Sequence, residues 1–531
     1  MIRPTTATTT GACLLATIFV TVAAPAADWP QWGGLDGKNM VSLERGLPES
    51  FVPGDKRNKE ARIDPATAKN VQWGVKICDA FYSTPSVAGG KVFIGGLEGR
   101  DGVFVCLDAA SGKLLWRWKA PPRDVPRKIN GFSIGISEIP QQLGVCSTAA
   151  VDGQRAYFVS HRFEVVALDV GGQSSGKTAG QAHVAWSYDM WEQLGVFPCD
   201  AANGSPLVDG DLLYVPTSNG VDRNTFHDAA RERNRKLPAP RAPNLIVLDK
   251  RTGRLVATDG LQIADQILHG QWSSPSLGQV GIVDQQGRLG LRNLVFFGAG
   301  DGRCYAFEAL ASVPAKPVRL KTVWSCDCIP PEYKPAGDVD AVTQYCLGDR
   351  RVHGTLNKHD GTFAGPSEII GTPVSIDNYV YVAIGRDPAH GRGRGALQCI
   401  DAAGQGDVTA GGRLWTYQGL DRTLSTASVH DGLVYLSDVA GRLHCLDALS
   451  GKCYWVHDAK CETWGSTLVA DGKVYMPTSK GLWVLAAGKP LRVLDRINLG
   501  ARVMASPVVA NGTLYVASTG GWLWAVRRES R

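Results

Sequence analysis

Beyond Ala24 the sequence has no apolar run long enough to cross a bilayer, which takes about 20 apolar residues, so no transmembrane segment is expected in the mature chain. It lacks a Cys-x-x-Cys-His element, which excludes covalent haem attachment of that kind. It also lacks a Gly-x-Ser-x-Gly elbow and a His-Glu-x-x-His helix, which removes two signposted hydrolase chemistries. No block of lysine and arginine is interleaved with aromatics as a nucleic-acid groove requires, and a net charge of +6 is small for 531 residues. No nucleic acid partner is expected. What the chain does have is turn formers and large rings: 62 Gly, 15 Trp and 14 Tyr beside 20% charged residues describe a turn-rich globular protein.

Met1 to Ala26 carries one basic residue, Arg3, then a threonine-rich stretch, the apolar run Ala12 to Ala24, and small residues at Ala24-Pro25-Ala26. This predicts a secretory signal peptide over residues 1–26 and a periplasmic or secreted mature protein. Cys13 has no leucine three residues before it, so no lipoprotein acceptor is expected. Its loss with the signal leaves an even number of cysteines, which suits an oxidising compartment without proving a bridge.

One phrase recurs along the chain: a small residue, Ser/Thr-Pro/Ala, an apolar pair, a turn dipeptide and an apolar-Tyr pair. It runs from Ser83 to Phe93, Ser147 to Tyr157, Gly204 to Tyr214, Gly371 to Tyr381, Ser425 to Tyr435, Gly465 to Tyr475 and Ala505 to Tyr515. A disrupted copy opens at Ser273-Ser274-Pro275. Asp152-Gly153, Asp209-Gly210, Asp431-Gly432, Asp471-Gly472 and Asn511-Gly512 supply the positive φ angles of two-residue hairpins. A second phrase follows, as in Val105-Cys106-Leu107-Asp108-Ala109-Ala110-Ser111-Gly112-Lys113-Leu114-Leu115-Trp116 and His444 to Trp455, with Trp186, Trp324 and Trp415 repeating the outer tryptophan. Each unit therefore reads as four strands, and about eight units fall within the blade count of propellers. The last unit lacks an outer strand, whereas Asn70-Val71-Gln72-Trp73 stands alone before the first. The expectation is an all-β, eight-bladed β-propeller of four-stranded antiparallel blades over residues 70–531, closed by that N-terminal strand, with an N-terminal extension at 27–69.

The Ala/Cys-Leu-Asp-x-x-Ser/Thr-Gly-Lys-x-x-Trp phrase resembles the repeat of the pyrroloquinoline-quinone-like (PQQ-like) propellers, over nearly all of the mature chain. Asp28-Trp29-Pro30-Gln31-Trp32, His269 to Pro275 and Trp464 to Val469 resemble exported, BamB-like members common in planctomycetes. For the catalytic members the resemblance implies PQQ held between a tryptophan and a disulfide of adjacent cysteines, with Ca²⁺ on carboxylate and amide ligands. This sequence departs from that pattern: Cys146 stands alone in Gly144-Val145-Cys146-Ser147, and no Trp-Asp-x-Asp run is present. No catalytic residue and no metal ligand set is assigned.

Cys106, Cys399 and Cys445 fall where other copies carry alanine, so they read as small buried thiols. Cys326, Cys328 and Cys346 are placed in a long insertion, 326–368, where a disulfide is an option. Asp338, Asp340, Asp349, His353, His359 and Asp360 of that insertion lack the spacing of a known metal loop. A second insertion, 221–244, carries Arg231, Arg233, Arg235, Lys236 and Arg241, which read as a solvated loop. Insertions at 123–143, 190–202, 221–244, 326–368 and 387–395 all fall in loop classes of one face. The residues just before the inner strands are Tyr82, Cys146, Asn203, Trp272, Ile370, Leu424, Trp464 and Met504, a ring at the mouth of the funnel on that face. Either this ring fills the channel with packed side chains, or Tyr82, Cys146, Asn203, Trp272 and Trp464 line a ligand pocket.

The residues favour a non-catalytic binding or scaffold propeller that engages a protein, peptide or polysaccharide on the elaborated face. The resemblance keeps two alternatives: a divergent PQQ- and Ca²⁺-dependent oxidoreductase using the funnel, and an outer-membrane assembly factor of BamB type.

Overall fold

The computed structural model describes residues 27–57, 59–124, 128–129, 132–133, 143–173, 180–198, 201–220, 239–264, 266–267, 270–283, 286–331, 366, 368–388 and 393–529. Eight blades of mainly antiparallel four-stranded sheet form a β-propeller. Blade 1 is typical: Ser86–Ala88 innermost, then Lys91–Glu98, Asp101–Asp108 and Leu114–Ala120. Hairpin turns match their dipeptides, with Asn511 at φ 53° and Gly512 at φ 73°.

Blade 8 is completed from the other end of the chain. Val71–Lys76 pairs antiparallel with Trp522–Val526, and Trp73 sits opposite Ala525. This pairing removes two sheet edges that an open ring would leave free.

The second phrase is explained by contacts between blades. Each outer tryptophan donates its indole N–H to the turn between the third and fourth strands of the next blade. Trp116 donates to Val170 O at 3.1 Å, Trp186 to Lys250 O at 3.0 Å and Trp324 to Ala402 O at 2.9 Å. Trp415 and Trp455 repeat the bond to Ala448 and Gly488. Trp73 donates to Ala109 O at 2.9 Å, so the closing junction is built like the others. Gly112, at φ 67°, belongs to the turn under Trp73, and a Cβ there would lie 2.7 Å from the ring.

The disulfide that was an option among Cys326, Cys328 and Cys346 does not join Cys326 to Cys328, both of which are free. Cys326 lies in the outer strand of blade 4, Thr322–Asp327, opposite Cys304, so the insertion begins later than the sequence suggested. Cys326 and Cys328 are buried thiols, as are Cys106, Cys399 and Cys445. Cys346, the acidic and histidine residues from Asp338 to Asp360, and the Arg231 to Lys236 cluster lie outside the described residues, as does the segment 1–26.

Residues 27–44 form a strap around the axis, a feature with no counterpart in the repeated phrases. The inner strand of every blade has a free edge toward the axis, and the strap supplies partners to one equivalent N–H in six blades. Val87 and Trp29 exchange both backbone bonds at 2.8 Å. Val151 donates to Pro30 O, Leu277 to Asp36 O, Ser375 to Gly37 O and Val469 to Met40 O, at 2.8–3.0 Å. Val429 donates to Asn39 Oδ1 at 2.8 Å. Gly37 is required by close approach, since a Cβ there would sit 2.4 Å from Ser375 O.

Candidate functional site

Above the strap the channel widens into a cavity of about 600 Å³, within the range of small-molecule pockets. All eight residues of the predicted ring line it: Tyr82, Cys146, Asn203, Trp272, Ile370, Leu424, Trp464 and Met504. Trp32 of the strap also reaches the lining, and its indole N–H donates to Thr372 Oγ1 at 2.9 Å. Leu143, Ala201, Asp387 and Pro388 enter from three of the predicted insertions. The ring residues therefore surround a space instead of filling it.

The two ring tryptophans are anchored by their nitrogens. Trp272 is 7% exposed and donates to Ala201 O at 3.1 Å. Trp464 is 37% exposed and donates to Glu462 Oε1 at 2.7 Å, while Arg502 holds the other oxygen of Glu462. With its N–H group committed and its ring more than a third exposed, Trp464 presents its ring to a ligand. Asn203 Oδ1 is buried without a hydrogen-bond partner.

A second ring lies one step deeper, formed by the Ser/Thr of the repeated phrase. Thr84, Thr148, Ser205, Ser274, Thr372, Thr426, Ser466 and Ser506 all line the cavity, and all are buried. Seven bonds of one type, from a backbone N–H to the hydroxyl of the next blade, link all eight in sequence. Thr148 donates to Ser205, Ser205 to Ser274, Ser274 to Thr372 and Thr372 to Thr426. Thr426 donates to Ser466, Ser466 to Ser506 and Ser506 to Thr84. Seven of these oxygens, all but that of Thr148, act as acceptors, and none of the eight hydroxyls donates to a protein group among the described residues. Their protons are left for whatever occupies the axis. The sequence carried the signal for this belt, a hydroxyl at the same place in every copy.

Burial acts on two of the ionisable groups of the lining. Burial pushes the Cys146 thiol up to about 12, so it is not a thiolate near neutral pH. Burial, reinforced by Cys146, also raises the Tyr82 phenol. Asp387 is the one carboxylate in the lining among the described residues.

The family model described as outer membrane protein assembly factor BamB matches residues 57–313 and 393–530. The chain belongs to this BamB-like, PQQ-repeat family. BamB from Moraxella catarrhalis superposes with a TM-score of 0.50 at 13% identity, covering 86% of this chain and 98% of that one. A europium-containing methanol dehydrogenase gives a TM-score of 0.52 at 12% identity, covering 93% and 89%. At such identities these likenesses show the fold alone. The quinohemoprotein alcohol dehydrogenase ADH IIB of Pseudomonas putida is 30% identical over 180 residues, which is 31% of this chain and 24% of that enzyme. The match thus spans about a quarter of that relative's length.

The cofactor that the resemblance implies is PQQ, a quinone carrying several carboxylates, together with Ca²⁺. Its site would need cationic side chains for the quinone and a set of oxygen donors for the metal. Among the described residues the lining has no lysine or arginine, one carboxylate and a lone cysteine. No group of three metal-ligating side chains occurs among them either. The residues present do not fit that group, and no step is derived through it.

Proposed function

We propose that this BamB-like chain is an exported, non-catalytic binding propeller whose funnel holds the neutral, sugar-like end of a polysaccharide. The observation that carries the reading is the cavity of about 600 Å³ with aromatic faces above a belt of hydroxyl donors. Trp464 and Tyr82 offer apolar faces to the C–H surface of a sugar ring. The hydroxyl belt offers donors to its oxygens, and Asn203 Oδ1 offers an acceptor to one of its hydroxyls. An anionic ligand would also use the donors, but the lining supplies no lysine or arginine among the described residues and places Asp387 there.

The test is tryptophan fluorescence titration with neutral trisaccharides (maltotriose, cellotriose and chitotriose) and with a sulfated disaccharide. A neutral sugar should bind, and Trp464→Ala should weaken it about tenfold, near 1.4 kcal/mol. Binding of the sulfated sugar alone would replace the ligand class and keep the funnel. Dye-linked oxidation of an alcohol or sugar after reconstitution with PQQ and Ca²⁺ would overturn the non-catalytic reading.

A second reading, docking of a protein partner as an assembly factor, has one structural observation in its favour besides the family match. The blade 4 hairpin Ser276–Val283 and Leu289–Gly298 extends past its neighbours and leaves Leu289 77% and Leu291 65% exposed. Co-purification of an outer-membrane assembly partner, lost in Leu289→Asp/Leu291→Asp, is the result this reading expects.

A further inference from the structure

Both ends of the strap meet on one hairpin of blade 8. Asn511 N–H donates to Ala27 O at 3.1 Å and to Glu44 Oε1 at 2.7 Å, and Gly512 N–H donates to Glu44 Oε2. Glu44 Oε1 also accepts from the Ala27 nitrogen at 2.9 Å. The strap is thereby closed into a ring, with the contact between Ala27 and Glu44 as its clasp.

Glu44 is 4% exposed, and no lysine, arginine or histidine among the described residues pairs with it. The exposed Arg527 lies beside Gly512, and the neighbouring Asp28 is itself an anion that accepts from Asn511 Nδ2 at 2.8 Å. Three N–H groups satisfy the hydrogen-bonding capacity of the Glu44 carboxylate without neutralising its charge, and a buried charge is costly unless paired.

We propose that proteolytic removal of residues 1–26 supplies the missing cation. Hydrolysis of the Ala26–Ala27 peptide bond by a signal-type endopeptidase consumes one water and leaves a carboxylate on Ala26. The freed amine of Ala27 takes up a proton and, as an ammonium, pairs with Glu44. Maturation then locks the strap, and with it Trp32 at the floor of the funnel. The proposal rests on the reading of residues 1–26 as an export signal and is independent of the ligand in the funnel.

The test uses the secreted protein, whose intact mass should begin at Ala27; any other first residue overturns the proposal. A form carrying Gly-Ser before Ala27 should melt about 2 °C lower or more, because its ammonium is displaced from the carboxylate. Glu44→Gln removes one N–H acceptor from both forms, so both should melt lower, but it should abolish the difference in melting between the mature and extended forms, since both changes break the same ion pair. Additive losses, or an extension without effect, would overturn the clasp. Because Glu44→Gln can fail to fold for lack of an N–H acceptor, a second measurement uses the unaltered protein. Acylation of the Ala27 amine near neutral pH should run about tenfold slower in native protein than in urea, because the amine, although Ala27 is exposed, must leave the Glu44 carboxylate before it reacts. Equal rates would overturn the pairing.

Discussion

Two pieces of the N-terminal region close the ring in different ways. Val71–Lys76 completes the outer edge of blade 8 with a full strand, and Trp73 locks onto the first blade. The strap at 27–44 borrows from each blade little more than one backbone bond at the inner edge. The outer closure buries Trp73 and Val75 in a core shared with blades 1, 7 and 8. The inner closure puts a floor under a cavity. One is part of the repeat and stabilises the fold; the other lies outside the repeat and shapes a site.

The comparison is broken most severely by removing both pieces. A chain beginning at residue 77 exposes the edge of Trp522–Val526 and loses the blade 8 to blade 1 contact, so it should aggregate. A soluble monomer with unchanged melting in size-exclusion chromatography and calorimetry would show that Val71–Lys76 does not close the ring. A chain beginning at residue 45 keeps the outer closure and should stay monomeric. It loses the strap's bonds to the inner edges of six blades, which net about 0.5–1.5 kcal/mol each at most, so it should melt several degrees lower and lose its funnel ligand. Aggregation as severe as in the longer deletion would make the strap an equal partner in folding.

Legibility in the sequence followed the repeat. Trp73 was readable as an orphan outer strand because other blades carry a tryptophan in the same phase. The ring from Tyr82 to Met504 could be placed at the funnel mouth for the same reason. The hydroxyl belt stood in every copy but received no role, because its bonds run between blades and each copy shows only half of the pair. The strap has no period of its own, since it bonds to the inner strands of six blades with one irregular pass of backbone. Gly37 reads as an ordinary loop glycine until Ser375 O is found against it. Cys326 was misplaced because the boundary between an outer strand and a long insertion leaves no turn signal.

The strap also responds to pH. Lys38 is fully buried and donates to Gln31 Oε1 at 2.8 Å; burial, opposed by Asp36, lowers it to about 7. An unfolded lysine keeps its proton up to about 10.5, so between the two values the unfolded chain binds more protons. Stability must then rise with pH from about 7, by up to about 1.4 kcal/mol per pH unit. Calorimetry at pH 7 and 9 should show unaltered protein gaining stability relative to Lys38→Met, a difference that isolates this group from the other titrations. Parallel pH profiles would place the Lys38 ammonium in contact with water.

The smallest change sharpens the comparison at the point where strap and cavity meet. Trp32→Phe keeps most of the apolar area of the floor and deletes the donor to Thr372 Oγ1. That oxygen still accepts from Ser274 N–H at 3.4 Å, and it borders a cavity from which water can replace the lost bond. The loss should therefore stay near one neutral hydrogen bond, about 1 kcal/mol, with ligand affinity nearly unchanged. Trp32→Ala removes the ring itself, so the cavity deepens toward the strap and bound sugar loses a contact surface; affinity should fall while the blades stay folded. Melting curves and sugar titrations of the two variants separate these roles. If Trp32→Phe costs as much as deleting residues 27–44, the strap is held by this one bond and the six backbone contacts to the blades contribute little.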